Sequence, residues 1–233
     1  MTQADNRLAT ARPKKTDGTQ LRRLALDARA DSERRGPARI VVIGEFNSGK
    51  TALVNALIGT PVLPTSVTDH TPCVTVVAYT AKPSLSAEMA GGKRRRLAWE
   101  HLEHPPGGDT RRLHVGVPIR TLAGLQILDT PGLGLGDETA EAQTLRSCRG
   151  ADLVIWCTPA FQAWKNSEAT LWLELPASVR AHGVLAVTFT DEIASDDDAR
   201  RLMSRLRNDA GEHFRDIILM AESSEVMPPR PAV

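Results

Sequence analysis

The sequence predicts an α/β fold in which a mostly parallel central sheet carries helices on both faces, with an additional N-terminal helix. Two observations support this fold class. Short apolar segments rich in β-branched residues alternate with longer segments of helical periodicity, which is typical of parallel strands joined by crossover helices. A glycine-containing segment, Gly44-Glu-Phe-Asn-Ser-Gly-Lys-Thr51, joins the first apolar segment to the first helical one. A helix that begins in this way presents free backbone N–H groups to anions.

Length and composition fit one domain with some additional material. The 233 residues carry a formal net charge of +1, with 41% hydrophobic and 24% charged residues, and these values are ordinary for a globular protein. Such a charge gives no reason to expect nucleic acid as a partner. We find neither a signal-peptide core nor an apolar run of membrane-spanning length. We therefore expect a cytoplasmic protein, and peripheral contact with the inner face of a membrane stays open.

Changes in composition divide the chain into four parts. Residues 1–17 are polar and are expected to form a mobile tail. Residues 18–36 are expected to form a helix with a narrow apolar face, which must pack beside the main domain to be stable. The main domain is predicted to cover residues 37–224, and residues 225–233, rich in proline, form a C-terminal tail.

The elements of the main domain follow from hydrophobic periodicity. The expected strands are 38–43, 74–79, 125–128, 151–157, 183–187 and 217–220, with short strands at 97–99 and 113–117 around a turn at 105–109. The expected helices are about 19–35, 52–58, 138–149, 167–179 and 195–214. Residues 61–73 are interpreted as a loop, because prolines precede several hydroxyl residues without a hydrophobic period.

The segment from Gly44 to Thr51 fits the pattern G-x-x-x-x-G-K-[ST] between a strand and a helix. In such a P-loop the backbone N–H groups face a triphosphate, the lysine reaches the β- and γ-phosphate oxygens, and the hydroxyl binds Mg²⁺. A glycine turn that matches by accident is the alternative, and the flanking strand and helix disfavour it. The residues expected to contact the nucleotide here are Gly44, Glu45, Phe46, Asn47, Ser48, Gly49, Lys50 and Thr51.

Two later segments are expected to complete the phosphate and metal site. Asp129 ends an apolar strand, from which its carboxylate can hold Mg²⁺ directly or through water, and the N–H of Gly132 can approach the γ-phosphate. The alternative is that Asp129-Thr-Pro-Gly132 is only a turn. A hydroxyl of the 61–73 loop can complete the Mg²⁺ shell; Thr71 is the first candidate and Thr68 the second, although a solvent-facing threonine competes with either assignment.

Base recognition is assigned to Thr188-Phe-Thr-Asp191, at the position where GTPases carry [NT]-K-x-D. A carboxylate such as Asp191 accepts from guanine N1–H and from the exocyclic amine, and adenine offers neither donor. Thr188 and Asp191 fit the pattern, whereas Phe189 replaces the lysine and leaves an apolar surface that could lie on the base or ribose. The alternative is an acidic cluster that opens a helix, with Asp191 followed by Glu192 and residues 196–198.

These motifs together resemble bacterial dynamin-like GTPases. The resemblance rests on Gly44–Gly59, on Leu63-Pro-Thr65 before the predicted switch loop, and on Asp129–Gly132, and it covers about residues 38–220 and the preceding helix. The family implies a G-domain fold, GTP hydrolysis with Mg²⁺, pairing of G domains with a second copy or a dynamin-like partner chain, and work at membranes. By this resemblance Asn47 would contact the phosphates and a charge-compensating ion, and the N-terminal helix would join a helical bundle.

Three departures from the family pattern affect the expected activity. Phe189 replaces the base-side lysine, and Leu133 stands where Ras-like GTPases keep a water-orienting glutamine. Hydrolysis would therefore depend on Lys50, Thr71, Asn47 and an arrangement completed by dimerisation. The chain ends at Val233, so we expect either a fragment or a protein without its own membrane-remodelling machinery. The alternatives are a pseudo-GTPase binding module and an Era-type GTPase.

Three other features are interpreted conservatively. Lys93-Arg-Arg-Arg96 is expected to be a solvated hairpin tip, although a basic run can also meet anionic partners. His101 and His104 flank Glu103 without further metal-ligand spacing and are expected to decorate an exposed strand or loop. Trp164 is expected either to face a partner or to pack under the following helix.

Overall fold

A ten-stranded sheet forms the centre of the part of the molecule that the computed structural model describes, which is residues 15–16, 18–30, 36–65, 73–106, 110–134 and 136–220. The strands are β1 (Lys15–Thr16), β2 (Ala38–Gly44), β3 (Val74–Tyr79), β4 (Ser84–Met89), β5 (Arg94–Arg96), β6 (Thr110–Val117), β7 (Leu125–Asp129), β8 (Leu153–Pro159), β9 (Gly183–Thr188) and β10 (Asp216–Met220). The α-helices are α1 (Gly18–Ala30), α2 (Lys50–Ile58), α3 (Glu138–Cys148), α4 (Asn166–Glu174), α5 (Ala177–Arg180) and α6 (Asp196–Ala210).

The sheet is mostly parallel, so the predicted fold class is confirmed. The strand order is β1-β10-β9-β8-β2-β7-β3-β6-β4-β5. Every pair from β1 to β7 in this order is parallel. The far part of the sheet is mixed, because β3 runs antiparallel to β7, and β4 runs antiparallel to both β6 and β5.

Helices cover both faces of the parallel half. The strands there are almost continuously buried, as expected for strands packed on two sides. On one face, α1 and α2 contribute Leu21, Ala25, Leu53 and Leu57 to a core with β2 and β8. On the other face, residues of α3 to α6 pack with a group of aromatic side chains, which are Trp156, Trp164, Trp172 and Phe214.

The helix α1 packs directly against the helix α2. An added Cβ on Gly18 would lie 2.4 Å from the carbonyl oxygen of Ala56, so the two backbones are in close contact. Arg22 donates a hydrogen bond to the carbonyl of Leu57. At the other end of α1, the guanidinium of Arg29 lies 3.8 Å from the carboxylate of Asp152. Residues 31–35 of the predicted helix lie outside the described residues.

Truncating the buried face of α1 should destabilise the protein. Leu21 is fully buried, whereas Leu26 on the same helix is 42% exposed. We expect Leu21→Ala to lower the free energy of unfolding by about 2–5 kcal/mol, since it removes packed methyl groups and leaves a cavity. Leu26→Ala, the matched control, should change it by less than about 0.5 kcal/mol. Urea denaturation measures both, and equal effects of the two substitutions would contradict the packing of α1.

The element boundaries differ from the predictions in several places. Residues 15–16 of the predicted tail form β1, which pairs with β10. Trp99 begins a 3₁₀ turn instead of ending a strand, and β4 and β5 were not predicted. The exposed Arg94–Arg96 segment lacks strand alternation and becomes β5 only by pairing with β4. The helix expected at 167–179 is interrupted at Leu175-Pro176, since proline cannot donate its backbone hydrogen bond.

Other sequence features have clear positions. Trp164 is 8% exposed and packs edge-on against Trp156, so its side chain belongs to the core and does not face a partner. In the described ranges, no helix combines the length and apolar character that crossing a bilayer requires. The same residues, which include His101 and His104, contain no group of three or more His, Cys, Asp or Glu side chains that could hold a metal.

Candidate nucleotide-binding site

The predicted motifs meet at one edge of the sheet, at the carboxyl ends of neighbouring parallel strands. Gly44 at the end of β2 pairs with Cys157 of β8, and Asp129 at the end of β7 pairs with Val42 of β2. The strand β9 ends nearby in Thr188. Ligands of open α/β sheets bind at this edge, so the fold brings the phosphate, metal and base motifs together.

The P-loop backbone wraps closely around the start of α2. An added Cβ on Gly44 would lie 2.5 Å from the carbonyl oxygen of Cys157, so no side chain fits there. Gly49 precedes α2 in the left-handed conformation, with φ of 81°. The Lys50 ammonium donates to the carbonyl of Glu45 at 2.6 Å. The hydroxyl oxygen of Ser48 is buried without a hydrogen-bond partner in the described residues. The Lys50 ammonium thus makes a hydrogen bond within the loop, whereas the Ser48 hydroxyl makes none among the described residues.

Burial lowers the pKa of Lys50. Its side chain is 7% exposed, and burial lowers the pKa of its ammonium, while the neighbouring negative charge of Asp129 opposes that decrease. A buried cation without a full anionic partner is costly. A bound phosphate group would therefore stabilise this lysine strongly.

The two residues that were predicted to hold a metal, Thr51 and Asp129, are in direct contact. The Thr51 hydroxyl donates to Oδ2 of Asp129 at 2.7 Å. Asp129 is 2% exposed, and its Oδ1 has no hydrogen-bond partner in the described part of the chain. Burial raises the pKa of Asp129 to about 6, against the opposing effects of the Thr51 hydroxyl, the Lys50 charge and the backbone N–H of Thr130. A hydroxyl beside a carboxylate with an unpaired oxygen is a donor set that fits Mg²⁺.

The segment that follows Asp129 lies directly on the P-loop. An added Cβ on Gly132 would lie 2.9 Å from the Cα of Phe46, so only glycine allows this approach. The N–H of Leu133 donates to the carbonyl of Gly44 at 3.0 Å, while its side chain is 4% exposed and packs in the core. Leu133 therefore presents no polar group to a reacting water.

Glu45 belongs to an ionic network that the sequence did not reveal. Its carboxylate lies 2.5 Å from the Lys165 ammonium and accepts from the Ser167 hydroxyl at 2.6 Å. Burial alone would raise the pKa of Glu45, but these two contacts outweigh it and lower the pKa. The pKa of Lys165 is raised by the same hydrogen bond. The network joins the P-loop to the start of α4, because Lys165 directly precedes that helix and Ser167 lies in its first turn.

A buried glutamate holds that segment in place. Glu168 is fully buried and accepts hydrogen bonds from Trp156 Nε1 at 3.0 Å, from the Thr158 hydroxyl at 2.9 Å and from the Lys165 N–H at 2.9 Å. Burial raises its pKa despite these donors. Only one half of a capping box is present, the bond from the Lys165 N–H to the Glu168 carboxylate, because a lysine ammonium cannot accept a hydrogen bond. The local sequence therefore carried no capping signal for this role.

The base-side motif is anchored by its threonines. The Thr188 hydroxyl lies 2.8 Å from the carbonyl oxygen of Ser48, so it fastens the P-loop to β9. The Thr190 hydroxyl donates to the carbonyl of Met220 at 2.6 Å. Phe189 lies between them with φ of 53°, and its ring edge lies against Gly49. Asp191 is exposed in the 3₁₀ turn Thr190–Glu192.

The remaining site predictions concern the loop after α2. Asn55, which is buried, holds the start of that loop, because its Nδ2 donates to the carbonyl of Leu63 at 2.8 Å and its Oδ1 accepts from the N–H groups of Val62 and Leu63. Thr71 and Thr68 lie outside the described residues, so their roles stay predictions. Asn47 is exposed with φ of 57°.

Comparison with known proteins defines the family. A family model described as the dynamin family matches residues 40–185. The chain belongs to the dynamin family. This domain is 31% identical over 134 residues to dynamin-like protein 2 of Campylobacter jejuni, covering 55% of the chain and 22% of that protein. It is 34% identical over 127 residues to the isoniazid-induced protein IniC of Mycobacterium tuberculosis, covering 50% of the chain and 25% of that protein.

Solved structures share the fold of this chain. A bacterial dynamin pair, described as oligomerised and as sensing and tethering membranes, matches with a TM-score of 0.59 at 20% identity, covering 88% of the chain and 33% of that chain. Era of Aquifex aeolicus matches with a TM-score of 0.51 at 15% identity, covering 79% and 51%. At these identities the likeness establishes the fold alone. The chain spans about a quarter of the length of these curated relatives, 22% of dynamin-like protein 2 and 25% of IniC. The predicted bacterial dynamin-like G domain is confirmed.

Proposed function

We propose that this dynamin-like G domain binds and hydrolyses GTP with Mg²⁺ and acts as a nucleotide-state switch. One observation carries the proposal: the Thr51 hydroxyl contacts Asp129, whose second carboxylate oxygen is buried without a partner in the described residues. Unsatisfied buried oxygens are costly in a folded protein, and a bound cation would satisfy this one. Family membership supports guanine nucleotide as the ligand.

The residues of the site divide the work. The Lys50 ammonium would move from the Glu45 carbonyl to the β- and γ-phosphate oxygens, and the P-loop N–H groups would bind the same phosphates. Thr51, Asp129 and, as predicted, Thr71 would hold Mg²⁺, which when bound neutralises charge on the phosphates. The N–H of Gly132 would sense the γ-phosphate, and Asp191 would read guanine.

We further propose that pairing of two G domains completes the catalytic site. The buried Leu133 side chain supplies no group to orient the attacking water, so a lone copy should turn over slowly. The partner would be a second copy or a dynamin-like chain, as the oligomerised bacterial neighbour suggests. Peripheral contact of a cytoplasmic protein with a membrane belongs to the same proposal.

The decisive experiment is GTP turnover per molecule over a wide range of protein concentration. We expect specific activity to rise with concentration, because dimerisation supplies the missing groups, and Lys50→Ala should stay at the level of a blank. If turnover per molecule does not change with protein concentration but still requires Lys50, the proposal of dimer activation is wrong and the proposal of GTP hydrolysis stands. Turnover at the blank level at every concentration would overturn the enzymatic proposal and favour the pseudo-GTPase alternative. The buried Leu133, which cannot orient a water molecule, is consistent with that alternative.

A further inference from the structure

Phe189 has a fixed position at the edge of the P-loop. The hydroxyls of its two neighbours, Thr188 and Thr190, are both hydrogen-bonded to backbone carbonyls of other segments. Its own backbone has φ of 53°, a left-handed conformation that is unfavourable for a bulky residue and that concentrates at functional sites. The bonds of its neighbours therefore fix the backbone from which this ring extends.

The ring lies on the residue that begins the phosphate-binding helix. An added Cβ on Gly49 would lie 3.2 Å from Cε2 of Phe189. The position is occupied by a lysine in the [NT]-K-x-D pattern, so an aromatic surface here stands in place of a charged chain. A ring offers a flat π-face to a flat ligand, but it cannot donate a hydrogen bond.

A second aromatic residue extends this surface into solvent. Phe161, in the 3₁₀ turn Ala160–Gln162 after β8, has its ring centroid 6.0 Å from that of Phe189, at an interplanar angle of 45°. Phe161 is 60% exposed, the most exposed of the large hydrophobic side chains in the described residues. Apolar surface exposed to water is unfavourable in free energy, so a flat apolar group that covered this ring would be stabilised by removing that surface from water.

The carboxylate of the base-side motif shares this rim. Asp191 follows Phe189 by two residues, and its 3₁₀ turn, Thr190–Glu192, contacts the turn that carries Phe161. A purine presents π-faces to aromatic rings and hydrogen-bond donors along its edge. The exposed ring of Phe161, the half-buried ring of Phe189 and the exposed carboxylate of Asp191 lie next to the P-loop and offer a complementary surface for both parts of a purine.

We propose that Phe161 is a further base-contacting residue, whose ring beside Phe189 supplies affinity for any purine, while the discrimination between purines stays with Asp191 of the base-side motif. The inference rests on the proposed nucleotide binding and adds Phe161 as a base-contacting residue. Because stacking tolerates every base, the two contributions are separable by substitution.

The test measures dissociation constants of GDP and ADP by calorimetry at dilute protein, with tripolyphosphate as a probe that lacks a base. We expect Phe161→Ala to raise the dissociation constants of GDP and ADP by a similar factor of about five to ten and to leave that of tripolyphosphate unchanged. Phe161→Tyr, which keeps an aromatic ring, should bind both nucleotides like the wild type. Asp191→Asn should raise the dissociation constant of GDP and leave that of ADP unchanged. Leu173→Ala, which removes a 47% exposed side chain of α4, is the matched control and should change none of these constants.

The outcomes separate this inference from the function on which it rests. If the wild-type protein binds GDP tightly and Phe161→Ala does not change the dissociation constant, the proposed role of Phe161 is wrong and the proposal of nucleotide binding stands. If Phe161→Ala instead removes only the rise of turnover with protein concentration, Phe161 belongs to a contact between two copies and the inference is wrong. Failure of the wild-type protein to bind GDP, ADP and tripolyphosphate would overturn the proposed function itself.

Discussion

Asp129→Asn is expected to reduce Mg²⁺-dependent GTP turnover by roughly a hundredfold or more while making the nucleotide-free protein more resistant to heat. The carboxylate of Asp129 is buried with one oxygen unpaired among the described residues. Such a group binds a cation well and is a liability without one. An asparagine can still accept from Thr51 but carries no charge to lose.

The pH dependence of this stabilisation has a defined sign. Burial raises the pKa of Asp129 to about 6 in the folded protein, from an ordinary value of 3.8. Between these values the folded state binds more protons than the unfolded state, so this group lowers stability as pH rises. The gain from Asp129→Asn should therefore be fully present above about pH 6, on the order of 1–3 kcal/mol, and should vanish towards pH 4. Thermal melts at several pH values measure it.

Asp152→Asn provides the matched control. Asp152 is also buried, but its Oδ2 accepts from the N–H of Arg39 at 2.8 Å and its Oδ1 lies 3.8 Å from Arg29. Removing this charge should destabilise the protein and leave nucleotide turnover unaffected once folded, the reverse of the Asp129 result. If Asp129→Asn lowers the melting temperature above pH 6, the buried charge of Asp129 does not destabilise the nucleotide-free protein and this prediction is wrong.

Glu168→Ala should produce the largest loss of stability, about 3–5 kcal/mol in the free energy of unfolding. The substitution leaves two buried donors, on Trp156 and Thr158, and the part-buried N–H of Lys165 without their acceptor. Urea denaturation gives the size of the effect. Glu174→Ala, an exposed position on the same helix, is the control and should be nearly neutral.

The same substitution should also weaken nucleotide binding in the protein that remains folded. Glu168 holds the segment that carries Lys165 and Ser167, and both of these side chains bind Glu45 in the P-loop. Releasing the segment should loosen the loop and raise the dissociation constant of GDP. Glu168→Gln, which keeps one acceptor, should fall between wild type and Glu168→Ala. If Glu168→Ala is as stable as Glu174→Ala, the buried network does not contribute as described.

The sequence predicted those parts of the fold and site that depend on strong local patterns. The strand, glycine loop and helix around Lys50 and the strand that ends at Asp129 have periodicities and turn residues that need no tertiary information. The strand β5 carries no such signal, because its three arginines form a strand only against β4.

The remaining features depend on contacts between segments that are distant in the chain. The ion pair of Glu45 with Lys165 and the bond from Thr188 to Ser48 each join loops from different strands. No local propensity encodes such contacts, since they arise only when the strands are ordered in the sheet. Thr188 was predicted among the nucleotide-binding residues from its motif position, and its hydroxyl faces the Ser48 carbonyl.

The pairing of β1 with β10 also has a consequence for how the chain is made. The register joins Lys15 to Leu219 and Thr16 to Met220, so the first and last of the described strands are neighbours. During synthesis, the N-terminal segment leaves the ribosome long before its partner strand exists. Contacts between such distant residues form slowly because a long loop must close first. The edge of the sheet at β1 can therefore close only after the whole nucleotide-binding half has been translated.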